Sequence, residues 1–232
     1  MKTMKRIKTS IKFISFIAMG TLLVFALSCK KKDSNTTNST NTTPVAGTVT
    51  DYDGNTYKTI SIGTQVWMTQ NLKVKHYNNG TAITYSAGSV STGAYCYYAT
   101  FDTAKYGLFY NFYAISGGTL APTGWHVPTS ADWTTLINYL GGTSAAGGAL
   151  KESGTSDWMA PNTGATNSSS FNALPGGYSN GTMNDITQDG NFWSSTASGS
   201  SASYLYLYYG SASASLSVGP QTMGLSVRCV KD

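Results

Sequence analysis

Charge is scarce in this 232-residue chain: 11% of its residues are Asp, Glu, Lys or Arg, and Glu152 is the sole glutamate. Histidine is scarcer still, with His76 and His126 alone, and there are three cysteines, Cys29, Cys96 and Cys229. Each shortage removes a chemistry. Two histidines cannot supply a three-His metal centre, and their settings, KVKHYNNG and GWHVPT, share no metal-site spacing. His126 reads instead as a structural donor tying a strand to a helix cap. A glycosidase needs two carboxyl groups flanking the bond it breaks. Glu152 with Asp157 is one such pair, and closeness in sequence makes no geometric case for it. The abundant serines lie in low-complexity loops, no G-x-S-x-G elbow is read among them, and no catalytic triad suggests itself. No enzyme chemistry is expected.

A long hydrophobic run is also missing. The uncharged stretch Phe13–Leu27 has 15 residues, short of the ~20 that a membrane-spanning helix needs. Lys2, Lys5, Arg6, Lys8 and Lys12 all precede it, and no acid occurs before Asp33. A basic start, a short apolar centre and a small residue before the cut describe an export signal over residues 1–28. Ala26-Leu27-Ser28-Cys29 resembles the lipobox of bacterial lipoproteins, with Ala26 where Leu is usual. That resemblance implies acylation of Cys29. Two or more chains at ~0.8 kcal/mol per buried methylene make a stable anchor. Lys30 in place of Asp favours the outer membrane, on its periplasmic or cell-surface face. Removing the leader takes five of the 15 cations and leaves ten Lys and Arg against ten Asp and Glu. The pI of 9.0 is therefore an artefact of the leader, and no nucleic-acid partner is expected.

Residues 33–43, DSNTTNSTNTT, have nothing to bury. Such a segment cannot offset its ordering entropy, so residues 29–47 read as a lipidated cysteine and flexible polar linker. Its coil reach is roughly 20 Å. Residues 48–232 hold all 16 Tyr and all five Trp, enough for one domain with a real core.

Within that domain one helix is well signposted. Thr129-Ser130-Ala131-Asp132 is a capping box, Trp133, Leu136, Ile137 and Leu140 make one apolar stripe, and Gly141-Gly142 stop it. Weaker helical patterns cover residues 107–115 and 145–151. Asp53-Gly54 and Gly63 separate strand-like runs, which predicts hairpins. NFWSST, SYLYLYY, ASLSV and GLSVRCV read as late strands. The fold class is α+β: small antiparallel sheets, few helices and long loops.

The blocks DGNTYKTISIGTQVWMTQNL (53–72), YGLFYNFYAI (106–115), PTGWHVPTSADWTTLINYLGG (122–142), FNALPGGYSNG (171–181), FWSST (192–196) and GLSVRCVKD (224–232) come in a telling order. They resemble the Fibrobacter succinogenes major paralogous domain and cover most of 48–232. More distantly the chain resembles the C-type-lectin-like fold of formylglycine-generating enzymes. There a Leu-Pro-Thr-x-x-Glu-Trp block precedes a helix, and here His126-Val127-Pro128-Thr129 and Asp132-Trp133 stand in its place. The resemblance implies a small twisted sheet whose first and last strands are adjacent. It does not bring the enzyme's paired thiols.

Cys96 and Cys229 remain as either a disulfide or two buried thiols. A bridge would close a loop of more than half the chain, worth on the order of 4–5 kcal/mol. Asp185-Ile186-Thr187-Gln188-Asp189-Gly190-Asn191 echoes a calcium loop but lacks the acid at its twelfth position, where Thr196 stands. Asp51–Asn55 is a smaller echo. Both read first as turns stabilised by Asx hydrogen bonds, so no cofactor is expected, with calcium at Asp185 and Asp189 the open alternative. Tyr204, Tyr206 and Tyr208 alternate with Leu205, Leu207 and Tyr209, placing a tyrosine row on one face of a strand. The row is a candidate ligand contact, or else an aromatic ladder that stabilises the sheet. The expectation is a lipid-anchored envelope protein carrying a non-enzymatic binding or adhesion module for polysaccharide. The alternatives are a structural role through protein contacts and a diverged enzyme of the formylglycine-generating type.

Overall fold

Two tight turns decide the first sheet. The computed structural model describes residues 46–232, so the leader, Cys29 and the 33–43 linker run lie outside the described residues. At Asp51–Asn55 the Asp51 carboxylate accepts from the Asn55 backbone N–H at 2.9 Å and from the Tyr57 hydroxyl at 2.5 Å. This is the Asx chemistry expected there. It folds β1 (Gly47–Thr50) antiparallel onto β2 (Thr56–Ile62). The chain turns again at Gly63, whose φ of 62° suits glycine, and returns as β3 (Gln65–Met68).

Short elements follow: β4 (Thr84–Tyr85), β5 (Ala94–Cys96), α1 (Thr103–Tyr106), β6 (Phe109–Tyr110), α2 (Phe112–Ile115) and β7 (Trp125–His126). Next come α3 (Ser130–Tyr139), α4 (Ala146–Leu150), β8 (Tyr178–Ser179) and β9 (Met183–Asn184). The last part of the chain is β10 (Asp189–Ser198), β11 (Ser201–Tyr208), β12 (Ala214–Pro220) and β13 (Val230–Lys231). The capping box forms as read. Asp132 donates its backbone N–H to Thr129 Oγ1 at 3.2 Å, and the Asp132 carboxylate accepts from Thr129 N at 2.8 Å. The stripe buries Trp133, Leu136 and Ile137.

Residues 107–115 depart from the single helix expected. Phe109 and Tyr110 pair with β5 as strand, and only Phe112–Ile115 are helical, capped by the Asn111 side chain. Leu108, Phe109, Tyr110, Phe112, Ala114 and Ile115 are all buried. A run buried on every side carries no period that separates helix from strand.

One sheet runs β1-β2-β3-β13-β7, a second is the meander β10-β11-β12, and two smaller ones are β4-β5-β6 and β8-β9. All the named pairs are antiparallel except β4 with β5. The terminal strands share a sheet but are not neighbours, contrary to what the resemblance implied. The two hairpin turns make β1-β2-β3 a meander, so the edge left for β13 belongs to β3. The late segment GLSVRCV is also less regular than expected. It threads between sheets by single bridges, Gly224 to Ser179, Leu225 to Tyr110 and Ser226 to Phe192, before β13 forms.

Two apolar clusters sit around this thread. One centres on Tyr57, Met68, Tyr110, Trp193, Leu225 and Val227. The other holds Trp67, Trp133, Trp158, Phe171, Phe192, Leu205 and Leu207. Trp67 and Trp133 stack at 4.7 Å, and Phe171 meets both edge-on. Four of the five tryptophans are thus core, while Trp125 is half-buried.

Candidate functional site

Alternation along β11 sends Leu205 and Leu207 into the core and leaves Tyr204, Tyr206 and Tyr208 half-buried on the opposite face. Tyr204 stands edge-on to Trp193 at 6.0 Å, and Tyr206 and Tyr208 stack at 6.5 Å. The row is therefore in part a ladder. It also forms one wall of a cleft of about 500 Å³, with Tyr204 and Tyr206 facing it.

The other walls come from distant sequence. Tyr178 and Asn180 belong to the β8–β9 hairpin, Asp185 to the turn after β9, Asp189 and Asn191 to the start of β10, and Met223 to the loop after β12. Gly177 makes the approach possible: its φ is 65°, and a Cβ there would collide with the Asn184 carbonyl oxygen. In the turn, Asp185 and Thr187 both take positive φ, 53° and 68°. For a β-branched residue such as Thr187 that is a strained backbone. The Asp185 carbonyl accepts from Gln188 N and Asp189 N, and Thr187 N donates to the Pro175 carbonyl, which holds the turn.

Asp185 and Asp189 thus line the same cleft as Tyr204 and Tyr206, which their spacing in sequence did not foretell, whereas Asp51–Asn55 serves only as the β1–β2 turn. Asp189 is 8% exposed, and its Oδ1 accepts from the Tyr206 hydroxyl at 3.3 Å. Burial first, then the neighbouring Asp185 charge, pushes its pKa up to about 6, against the pull of the Tyr206 bond. No group of three or more His, Cys, Asp or Glu able to hold a metal occurs among the described residues. Tyr178, Asn180 and Met223 were missed from sequence, where no period or motif ties their segments to β11, and Asn191 was read only as the last residue of the calcium-loop echo.

Other sequence candidates resolve differently. Cys96 and Cys229 are free and buried, so the structure takes the two-thiol alternative. Cys96 sits in β5 opposite Phe109, whereas Cys229 precedes β13 with its carbonyl accepting from Met68 N. Burial raises the pKa of each thiol. His126 does tie a strand to the helix cap, with Nε2 3.2 Å from Asp132 Oδ2 and Nδ1 2.7 Å from Asp232 Oδ1. It borders a hollow of about 220 Å³ that Ser195 also lines. Both ring nitrogens face carboxylates, leaving neither for a serine, and Ser195 Oγ donates to the Pro128 carbonyl. A general base needs one nitrogen on its nucleophile.

Serine and carboxyl chemistry need correction too. Gly177-Tyr178-Ser179-Asn180-Gly181 does carry the G-x-S-x-G spacing of a nucleophile elbow. The strand-to-helix context of an elbow is lacking, since β8 leads into β9, and Ser179 Oγ lies 2.8 Å from the Tyr98 hydroxyl. Glu152 and Asp157 do meet in space. Lys105 Nζ lies 2.6 Å from each Asp157 oxygen, and the Tyr106 hydroxyl donates to it at 2.8 Å. Burial, then hydrogen bonding to Asp157, raises the pKa of Glu152 to about 7. Carboxyl groups near enough to hydrogen-bond each other stand too close to flank a glycosidic bond.

A family model, the Fibrobacter succinogenes major domain, matches residues 60–231. No curated protein and no solved structure matches the chain. The match runs from β2 to β13 and takes in every wall of the cleft, so the chain belongs to the Fibrobacter succinogenes major domain family.

Proposed function

We propose that the chain is a lipid-anchored envelope protein whose domain, lectin-like in fold, binds saccharides without catalysis in the cleft beside β11. One observation carries this reading: tyrosine rings on one strand face planar amide and carboxylate groups from other elements across about 500 Å³. Tyrosine offers an apolar face to the C–H side of a sugar ring and a hydroxyl to its edge, at low entropic cost. Asn180, Asn191, Asp185 and Asp189 supply the donors and acceptors that paired hydroxyls require. A glycan array probed with the mature protein and with Tyr206→Ala tests it. Retention of a glycan by the first and not the second is expected. No glycan retained at millimolar exposure would overturn it. The anchor is tested separately by mass spectrometry of the mature N-terminus, where Cys29 should carry acyl chains.

A structural role through protein contacts has one feature in its favour. β12 is the last strand of its meander, and it exposes Leu216 and Val218 on one face. Exposed apolar edge strands invite pairing with another chain. A glycan-silent protein that co-purifies as an envelope complex would support that reading.

A further inference from the structure

The cleft beside β11 has an uneven charge. Two carboxylates, Asp185 and Asp189, line it, and no Lys, Arg or His does. Elsewhere the acids have donors: Asp53 meets His76, Asp132 and Asp232 share His126, and Asp157 grips Lys105. The two fully buried cations face away from these needs. Lys151 donates to the carbonyls of Thr163, Tyr208 and Ser211, and Arg228 to Asn71 and the Phe171 carbonyl. Asp189 is more than nine-tenths buried. Its Oδ1 has the Tyr206 hydroxyl, and no group among the described residues donates to its Oδ2.

Oδ2 opens to the solvent of the cleft rather than lying sealed in the core, so a ligand donor can take the place of water there. Burial and the Asp185 charge already push Asp189 toward its protonated form. An ammonium would reverse that shift by favouring the ionised acid. The tyrosine faces that flank the carboxylates would also attract a cation. The walls thus pair ring stacking with a fixed negative pole.

Resting on the saccharide reading above, we infer that the cleft selects sugars bearing a free amine, hexosamine units of a partly deacetylated polysaccharide, and rejects uronates and sulfated sugars. The ammonium sits against Asp189, with Asp185 adding longer-range attraction. The pyranose face lies on Tyr206 and Tyr204.

Isothermal titration of the mature chain in detergent micelles at about pH 6.5, where Asp189 is largely ionised, tests this. The probes are a glucosamine tetramer, its N-acetylated counterpart, tetragalacturonate and tetralysine. The glucosamine tetramer should bind about five- to tenfold more tightly than the N-acetylated one, and tetragalacturonate not at all. Asp189→Asn should bring the affinities for the glucosamine tetramer and its N-acetylated counterpart to within about twofold of each other, whatever it does to saccharide binding as a whole, and Asp185→Asn, at an exposed position, should narrow the preference in part. Equal binding of all three sugars, or a preference that survives Asp189→Asn, overturns the amine inference and leaves the saccharide reading standing. Tetralysine binding as tightly as the glucosamine tetramer also overturns it, since the site would then read charge alone. No binding of any sugar by folded protein overturns both.

Discussion

Asn71→Ala is the substitution from which most can be learned about how the domain stays folded. Arg228 is fully buried, with its guanidinium 4.3 Å from the Phe171 ring and 5.3 Å from that of Phe192. Its acceptors are uncharged: Asn71 Oδ1 at 2.6 Å from Nη2 and 3.2 Å from Nε, and the carbonyls of Phe171 and Asn172. Burial alone draws its pKa down to about 9. Asn71 also donates to the Tyr106 carbonyl at 2.8 Å. Hydrogen bonds to a charged group contribute ~1.5–3 kcal/mol and neutral ones about 1 kcal/mol. Removing the asparagine should therefore cost about 4 kcal/mol, in the range for stranding a buried charge. Once Arg228→Met has removed the cation, the same change should cost only about 1 kcal/mol, from the neutral bonds of Asn71 Nδ2 to the Tyr106 carbonyl and, at 3.3 Å, to Ser226 Oγ. Urea unfolding of the four proteins in this double-mutant cycle measures the coupling, expected at about 3 kcal/mol. Equal costs of Asn71→Ala in both backgrounds would refute the account.

Acid should stabilise the domain over part of the range. Asp189 at about 6 and Glu152 at about 7 sit above the ~4 of an unfolded carboxyl. Between these values the native state holds protons the unfolded chain has lost, so stability rises as pH falls. Melting temperature should climb from pH 7.5 toward 5, less so in Asp189→Asn with Glu152→Gln; a decline in the wild type contradicts this. Lys151, drawn down to about 8 by burial, acts in the other direction. Above that value the unfolded lysine keeps a proton that the native one has given up, so Lys151 offsets part of the stability lost from about pH 8 to 10 as the unfolded thiols ionise and the raised native ones do not, and that loss should be steeper in Lys151→Met. Thr129→Ala removes the α3 cap and should cost about 1 kcal/mol in urea unfolding, with no change marking the cap as dispensable. The Cys96 and Cys229 thiols, buried and raised in pKa, should resist a thiol reagent until the protein unfolds, and rapid labelling of native protein would show that they are accessible.

Local signals in the sequence were the dependable ones. The α3 capping box, the Asp51–Asn55 and Gly63 turns, and the alternation along β11 each depend on residues a few positions apart, and each is where it was read. Residues 107–115 and 224–230 were read less well because they are buried on nearly all sides. A strand flanked by solvent on one face writes a period of two. A thread such as Leu225–Val230, which bridges Tyr110, Phe192 and Trp67 in turn, writes none. The tyrosine row and the Asp185–Asp189 turn were each legible as chemistry. Their meeting was not, because it depends on Asp189 pairing with Tyr208 and Asn191 with Tyr206 across the β10–β11 register.

The end of the same β10–β11 pair also shows why a chain so poor in charge buries Lys151. Lys151 reaches the carbonyls of Tyr208 and Ser211 at the end of β11 and of Thr163 in a separate loop. Tyr209 N donates to the Gln188 carbonyl on the other side. An acid at those points could accept only, whereas carbonyl oxygens converging from several loops need donors. A buried ammonium or guanidinium supplies three or more from one side chain. Cations satisfied by backbone leave no carboxylate consumed in the core. The acids remain for turns, caps and the cleft, and two of them stand beside the tyrosines with no basic residue to neutralise them.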